Sequence, residues 1–305
     1  MTISPLPDAA RVTAAAAAIG HHVRRTPLLR TEVDGRPVVL KLEHLQRSGS
    51  FKVRGALNAL LSGPRPERVI TASGGNHGLG VATATALLDL SAIVYVPETV
   101  PEVKARGIVT AGAKLVRHGV TYAEAAARAM EVADEPGTRY LPAYDDPHVV
   151  AGQGTVAAEI VSDAPDVDTI VVAVGGGGLA AGTLLGAGGR RVYAVEPERC
   201  RALNAALAAG EPVDVEIDSV AASALGASRV GSIPFALLND EPLVTSLLVS
   251  EAEILAARDR LWADFRLAVE PAAAVGFAAF LSGRIDAELP ALVICGANST
   301  WTPDS

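Results

Sequence analysis

Apolar positions along the chain follow two alternating patterns. Short β-branched runs give way to longer stretches with apolar residues at helical spacing, almost from end to end. The runs predict strands at Val38–Leu42, Arg68–Ala72, Ala92–Val96, Lys114–Arg117, Thr169–Val174, Arg191–Val195 and Ala291–Cys295, most of them closed by Gly, Pro or Ser. The intervening stretches predict helices at Lys52–Leu61, Asn76–Leu88, Pro101–Ala111, Tyr122–Ala133, Val149–Val161, Leu179–Gly186, Glu251–Trp262 and Ala272–Leu281. They are rich in alanine and leucine, which favour helix. The early run in MTISPLPDAARVTAAAAAIG also reads as helix. Strands alternating with helices in this way point to parallel sheets covered by helices, so the class is α/β. SGPRPER at 62–68 reads as a surface loop, and LPAYDDPHVV at 141–150 as a crossing between two lobes. No fixed period runs through the chain, which excludes a solenoid.

Composition narrows this picture. With 305 residues, half of them apolar, the chain can bury a large core, in one domain or two closely packed ones. A net charge of −8 argues against a nucleic-acid or anionic-membrane partner, since either needs a basic face. Charged residues interrupt every apolar segment before it reaches spanning length, and the N-terminus lacks the basic start of a signal peptide. Two cysteines, Cys200 and Cys295, build neither a disulfide framework nor a CxxC zinc set, so a reducing cytoplasm is the simplest compartment.

Three loops carry candidate chemistry. In VVLKLEHLQRSGSFKVRGA a strand runs through a polar loop into a helix starting at Lys52. A lysine at a helix N-terminus, with Arg54 close in sequence, is expected to hold its amine more readily neutral, as a Schiff-base lysine needs. Taken alone, a solvated surface lysine is the commoner outcome. In VITASGGNHGLG a strand meets an anion-binding type of helix start around Ser73 to His77, which could equally be a well-capped helix. In TIVVAVGGGGLAAG four consecutive glycines, Gly175 to Gly178, let the backbone approach a phosphate. Gly175, Gly177 and Ala180 also fit GxGxxA, with Glu196 about 20 residues on, as a dinucleotide site would have. That segment by itself suggests NAD(P) and an oxidoreductase.

Together, RTPLL, LKLEHLQRSGSFKVRGA, TASGGNHGLGVA, YDDPHVVAGQGTVAAEI, GGGGLAAG, VEPE, EPAAAV and CGAN resemble, in order and spacing, the fold type II pyridoxal-phosphate (PLP) enzymes, most closely the serine/threonine dehydratase and serine racemase family. The resemblance implies a tryptophan synthase β-subunit-like fold, with two three-layer lobes each built on a mostly parallel sheet. The large lobe would span residues 1–47 and 144–305, and the small lobe 48–143. By the same resemblance Lys52 forms the Schiff base with PLP and then acts as base, and Phe51 packs beside the ring. Asn76 would bond the phenolic oxygen, while Gly175, Gly176, Gly177, Gly178 and Leu179 hold the phosphate. Ser73, Gly74, Gly75, Asn76 and His77 would cradle the carboxylate of an amino-acid substrate. Cys295 would face the pyridine nitrogen, where a neutral thiol disfavours a long-lived carbanion and so favours loss of a β-hydroxyl.

The expected activity is therefore conversion of L-serine, L-threonine or a related β-hydroxy amino acid to a 2-oxo acid and ammonia, in a cytoplasmic homodimer. An amino-acid racemase, a β-replacement enzyme and a non-catalytic PLP-binding protein are the alternatives. Three departures bear on them. Racemising relatives carry a second serine where this chain has Gly74. The family's divalent-metal site corresponds to Glu196, Cys200 and Ala202; with alanine in place of an acid, a divalent ion is not expected, whereas a monovalent cation held by carbonyls is compatible. The segment AASALGA at 221–227 is altered near the substrate. The chain ends soon after CGANST, so a feedback-regulatory domain is not expected.

Overall fold

Two parallel sheets form because the strand runs are apolar on both faces and the helices between them cover both. The computed structural model describes residues 5–302, so the ends of the expected large lobe, 1–4 and 303–305, lie outside the described residues. Ten strands are present among the described residues: β1 Leu28–Val33, β2 Arg36–Lys41, β3 Arg68–Ala72, β4 Ser91–Val96, β5 Lys114–Arg117, β6 Thr138–Tyr140, β7 Thr169–Ala173, β8 Arg191–Pro197, β9 Val244–Val249 and β10 Pro290–Val293. Twelve helices accompany them: α1 Ala9–Ile19, α2 Lys52–Leu61, α3 Asn76–Leu87, α4 Glu102–Thr110, α5 Tyr122–Ala133, α6 Pro147–Asp163, α7 Gly178–Gly186, α8 Ala202–Ala209, α9 Ala222–Leu225, α10 Ser232–Leu238, α11 Glu251–Phe265 and α12 Pro271–Leu281.

The larger sheet has the order β1-β2-β10-β7-β8-β9 and is parallel except for the antiparallel edge pair β1–β2. That pair is closed by Asp34 and Gly35, both at left-handed φ (51° and 76°), a turn whose twist matches a hairpin. The smaller sheet, β5-β4-β3-β6, is parallel throughout. Alternation along its strands divides its contacts between two apolar layers. Val69, Val94 and Val96 pack into a cluster with residues of α2 and α3, whereas Ile70, Ala72 and Tyr95 pack against Ala125, Ala129 and Val132 of α5. In the larger sheet α6 with α7 and α11 with α12 supply the helical layers around the main core.

The predicted strands all exist, with ends shifted by a residue or two. Pairing added β1, β6 and β9, which the apolar pattern did not single out. α2 packs on both α3 and α6, so it joins the material around the two sheets, and Lys52 is its first residue.

A buried ionic cluster fixes that joint. Arg54 on α2 is fully buried and donates from Nε to Glu43 Oε1 (2.8 Å) and from Nη1 to Glu159 Oε1 of α6 (2.8 Å). Lys41, also fully buried, donates to Glu159 Oε2 (2.6 Å) and to the Thr26 carbonyl (2.8 Å). Thr26 and Gln46 donate to the remaining acceptor positions of Glu43. Two cations thus meet two carboxylates, with neutral donors completing the set, which is the condition under which buried charge is tolerated.

Candidate active site

The start of α2 is held against the segment that follows β10. Phe51 N donates to the Cys295 carbonyl (3.2 Å), and Ser50 forms a β-bridge with Gly296. Lys52 is half-buried, its Nζ donates to the Ala143 carbonyl (2.9 Å), and Nζ lies 5.2 Å from the centroid of the Phe51 ring. Burial pulls the Lys52 amine down to about 8, against a smaller opposing pull from Cys295 and Glu270. Arg54, expected to assist by its charge, is turned into the cluster with Glu43 and Glu159, so the amine is tuned by desolvation rather than by a neighbouring cation.

The glycine loop follows β7 and feeds α7. Gly177 sits at φ 91°, a conformation that favours glycine, and immediately precedes the free N–H groups of the helix. Its neighbours leave no space for side chains. A Cβ on Gly175 would lie 3.0 Å from Leu225 Cα and one on Gly178 2.9 Å from Tyr144 Cβ, while one on Gly176 would run into the Tyr144 ring. Gly175 to Gly178, Leu179, Phe51, Lys52, Asn76 and Cys295 line one cavity. The structure therefore brings together every residue expected to hold the cofactor. The same cavity also touches Tyr144, Leu225 and Glu270, for which sequence reading gave no role. Burial pushes the Cys295 thiol well above its ordinary value, aided by Glu270, so it is neutral.

An adjoining cleft is lined by Lys52, Ser73, Gly74, Gly75, Asn76 and His77, with Val100, Tyr144 and Ala222 to Ala224 across from them. The loop is tied by Gly75 N donating to Ser73 Oγ (3.2 Å). His77 is buried and its Nε2–H donates to the Leu141 carbonyl (3.0 Å), since that oxygen can only accept. Burial, reinforced by Lys52, lowers His77 to about 3, so the ring is neutral and spent behind the loop. What this segment offers an anion is the set of amides opening α3.

Glu196, the candidate metal ligand, is buried at the end of β8. Its two oxygens accept from Leu203 N and Asn204 N in the first turn of α8, each at 2.8 Å, and burial raises it to about 8 against those two bonds. Cys200 Sγ donates to the Leu225 carbonyl (2.9 Å) and Ala202 brings no side-chain donor. Among the described residues no group of three or more His, Cys, Asp or Glu is placed to hold a metal. The helix start engages Glu196 on both oxygens, so its carboxyl caps α8.

A glycine loop that excludes side chains, an amine of lowered pKa, an amide donor and a neutral thiol around one cavity fit a phosphorylated aldehyde cofactor. Comparison with known proteins agrees. The chain is 37% identical over 285 residues to an L-threonine ammonia-lyase of Geobacter sulfurreducens, covering 90% of this chain and 70% of that protein. Its structure superposes on a threonine deaminase from T.th. with a TM-score of 0.91 at 33% identity, covering 97% and 100% of the two chains. It superposes on maize serine racemase, also with a TM-score of 0.91, at 27% identity over 97% and 94%. The pattern described as pyridoxal-phosphate dependent enzyme matches residues 19–296, and with the lysine, the glycine cradle and the fold in agreement, the chain belongs to that family.

Proposed function

We propose that the protein is a PLP-dependent ammonia-lyase that converts L-threonine, L-serine or a close β-hydroxy relative to a 2-oxo acid and ammonia. The observation that carries this is Lys52, a desolvated amine between the glycine cradle and a cleft that presents helix-start amides. PLP in this cavity supplies an aldehyde for amine capture and a sink for negative charge at the substrate α-carbon. The amides of Gly175 to Gly178 would bind its phosphate, Leu179 and Phe51 would pack beside it, and Asn76 would donate to its phenolic oxygen. The loop from Ser73 to His77 orients the substrate carboxylate. Lys52 would hold the cofactor's aldehyde carbon when no substrate is bound and, with its amine free, would act as the base that takes the substrate α-proton as the β-hydroxyl leaves. Cys295, being neutral, does not enforce a charged ring nitrogen, so departure of the β-group is favoured over longer-lived charge.

The named relatives support the lyase reading, and a threonine deaminase has the higher identity of the two superposed structures. The same reading extends to a cytoplasmic homodimer, with the two free cysteines buried, and to a small lobe of residues 48–143 set in a large lobe of 1–47 and 144–305, a division the two sheets support. No helix among the described residues is long and apolar enough to cross a membrane. A panel of β-hydroxy amino acids, assayed for 2-oxo acid, tests the proposal: release from L-threonine or L-serine is expected, and inertness toward the whole panel would refute it.

Gly74 accounts for the direction of the chemistry. A Cβ there would lie 2.6 Å from Val100 Cγ2, so an apolar wall stands where a second acid–base group would project. Gly74→Ser alone should be strained by about 1–3 kcal/mol and gain little. Gly74→Ser combined with Val100→Ala should produce D-serine from L-serine, measured by chiral chromatography. Absence of D-serine from the double variant would show that the wall is not what prevents inversion.

A further inference from the structure

The side-chain amide of Asn76 is held from two sides, and the donor and acceptor inventory fixes which way it faces. Asn298 Nδ2 donates to the Ser48 carbonyl and to Asn76 Oδ1, each at 2.8 Å. A carbonyl oxygen only accepts, so the Asn298 atom facing Ser48 is nitrogen. With both hydrogens of that nitrogen committed, the Asn76 atom facing it is an oxygen. Asn76 Nδ2 is consequently turned away and donates to Glu270 Oε1 (2.6 Å). One hydrogen remains on Nδ2, and Asn76 lines the cavity with Lys52 and Cys295.

Glu270 is well placed for this task. It is 2% exposed, immediately precedes Pro271 at the start of α12, and makes no side-chain cap to that helix. Its backbone N donates to the Gly296 carbonyl (3.3 Å), and a Cβ at Gly296 would run into Glu270 Oε1, so the carboxyl is confined beside Asn76 by the segment after β10 that carries Cys295.

We propose that Asn298 and Glu270 are positioning residues that lock Asn76 with an N–H, not a carbonyl, facing the ring oxygen of the bound cofactor. This rests on the reading that Asn76 meets the phenolic oxygen. An N–H there favours the unprotonated oxygen, whereas a reversed amide presents an acceptor and favours the protonated phenol. The two protonation states absorb at different wavelengths, which gives a readout independent of turnover.

The test is reconstitution of apoprotein with PLP, recording the ratio of long- to short-wavelength absorption and the cofactor Kd. Asn76→Ala should shift the ratio and weaken binding about ten- to a hundredfold, as for loss of a bond to a charged group. Asn298→Asp, unable to donate to Ser48 or to Asn76, should turn the amide over and shift the ratio at least as far. Asn298→Ala should shift it in the same direction without added charge, and melting curves of both holoproteins verify folding. Glu270→Gln, whose side-chain oxygen still accepts from Asn76, should keep the wild-type ratio. A shifted Asn76→Ala spectrum beside wild-type spectra for both Asn298 variants overturns the orientation proposal and spares the reading of Asn76. An unshifted Asn76→Ala spectrum overturns that reading and the proposal with it. Loss of the wild-type ratio in Glu270→Gln would show that Glu270 acts through its charge and overturns its role as the acceptor that holds Asn76.

Discussion

Lys52→Ala should lower 2-oxo acid release by about 10³-fold or more, the scale of losing a positioned general base together with the attachment point. Borohydride reduction should then leave no cofactor fixed to the protein, although the glycine cradle still binds it reversibly. The fold should survive, because the amine bonds only the Ala143 carbonyl among the described residues and is desolvated without an ion-pair partner. The lowered pKa adds a pH signature. The amine must be neutral to attack an aldehyde, and burial moves its titration from 10.5 to about 8. Capture of PLP by apoprotein should therefore accelerate as pH rises through about 8 and level off above it. A rate that kept climbing toward 10.5 would show an amine that is not desolvated.

Arg54→Met should be the most destabilising single change considered. It strands Glu43 and Glu159, both inside the cluster at the α2–α6 joint, with Lys41 as the one remaining cation. Breaking a buried pair costs about 3–5 kcal/mol, which for a chain of this size is on the order of 10 °C in Tm. Because Lys52 stands two residues away on the same helix turn, cofactor affinity should fall as well. Adding Glu43→Gln removes one stranded charge and should recover part of the loss; equal melting temperatures for Arg54→Met and wild type would contradict the role assigned to the cluster.

The fold was legible where a local rule dictates it. Thr169–Ala173 is buried along its whole length and Arg68–Ala72 from Val69 onward, and their mostly apolar runs reflect cover on both faces. β1 was not, since as an edge strand it alternates half-buried and exposed residues and has no such run. Its signal was the Asp34-Gly35 pair, a hairpin turn read in the structure from two left-handed residues. β6 has three residues, too few for any period. At the site the same division holds. Gly175 to Gly178 announce themselves as a run of four glycines, and in the structure Leu225, Tyr144 and Pro234 crowd the positions their side chains would take. Glu270 and Asn298 stand in the quoted EPAAAV and CGAN, but nothing local assigned them a task, because it arises from tertiary meetings: Asn76 finds Glu270 across 194 positions and Asn298 across 222. Arg54 illustrates the opposite error, where closeness in sequence to Lys52 suggested an electrostatic neighbour and the helix turned it elsewhere.

The central claim is elimination driven from one face by Lys52. It is tested most directly by incubating the PLP-loaded protein with L-threonine and following 2-oxo acid, ammonia and the stereochemistry of unreacted substrate together. The expected result is 2-oxobutanoate and ammonia in equal amounts, with the remaining threonine still L. Recovery of epimerised threonine without ammonia would contradict it.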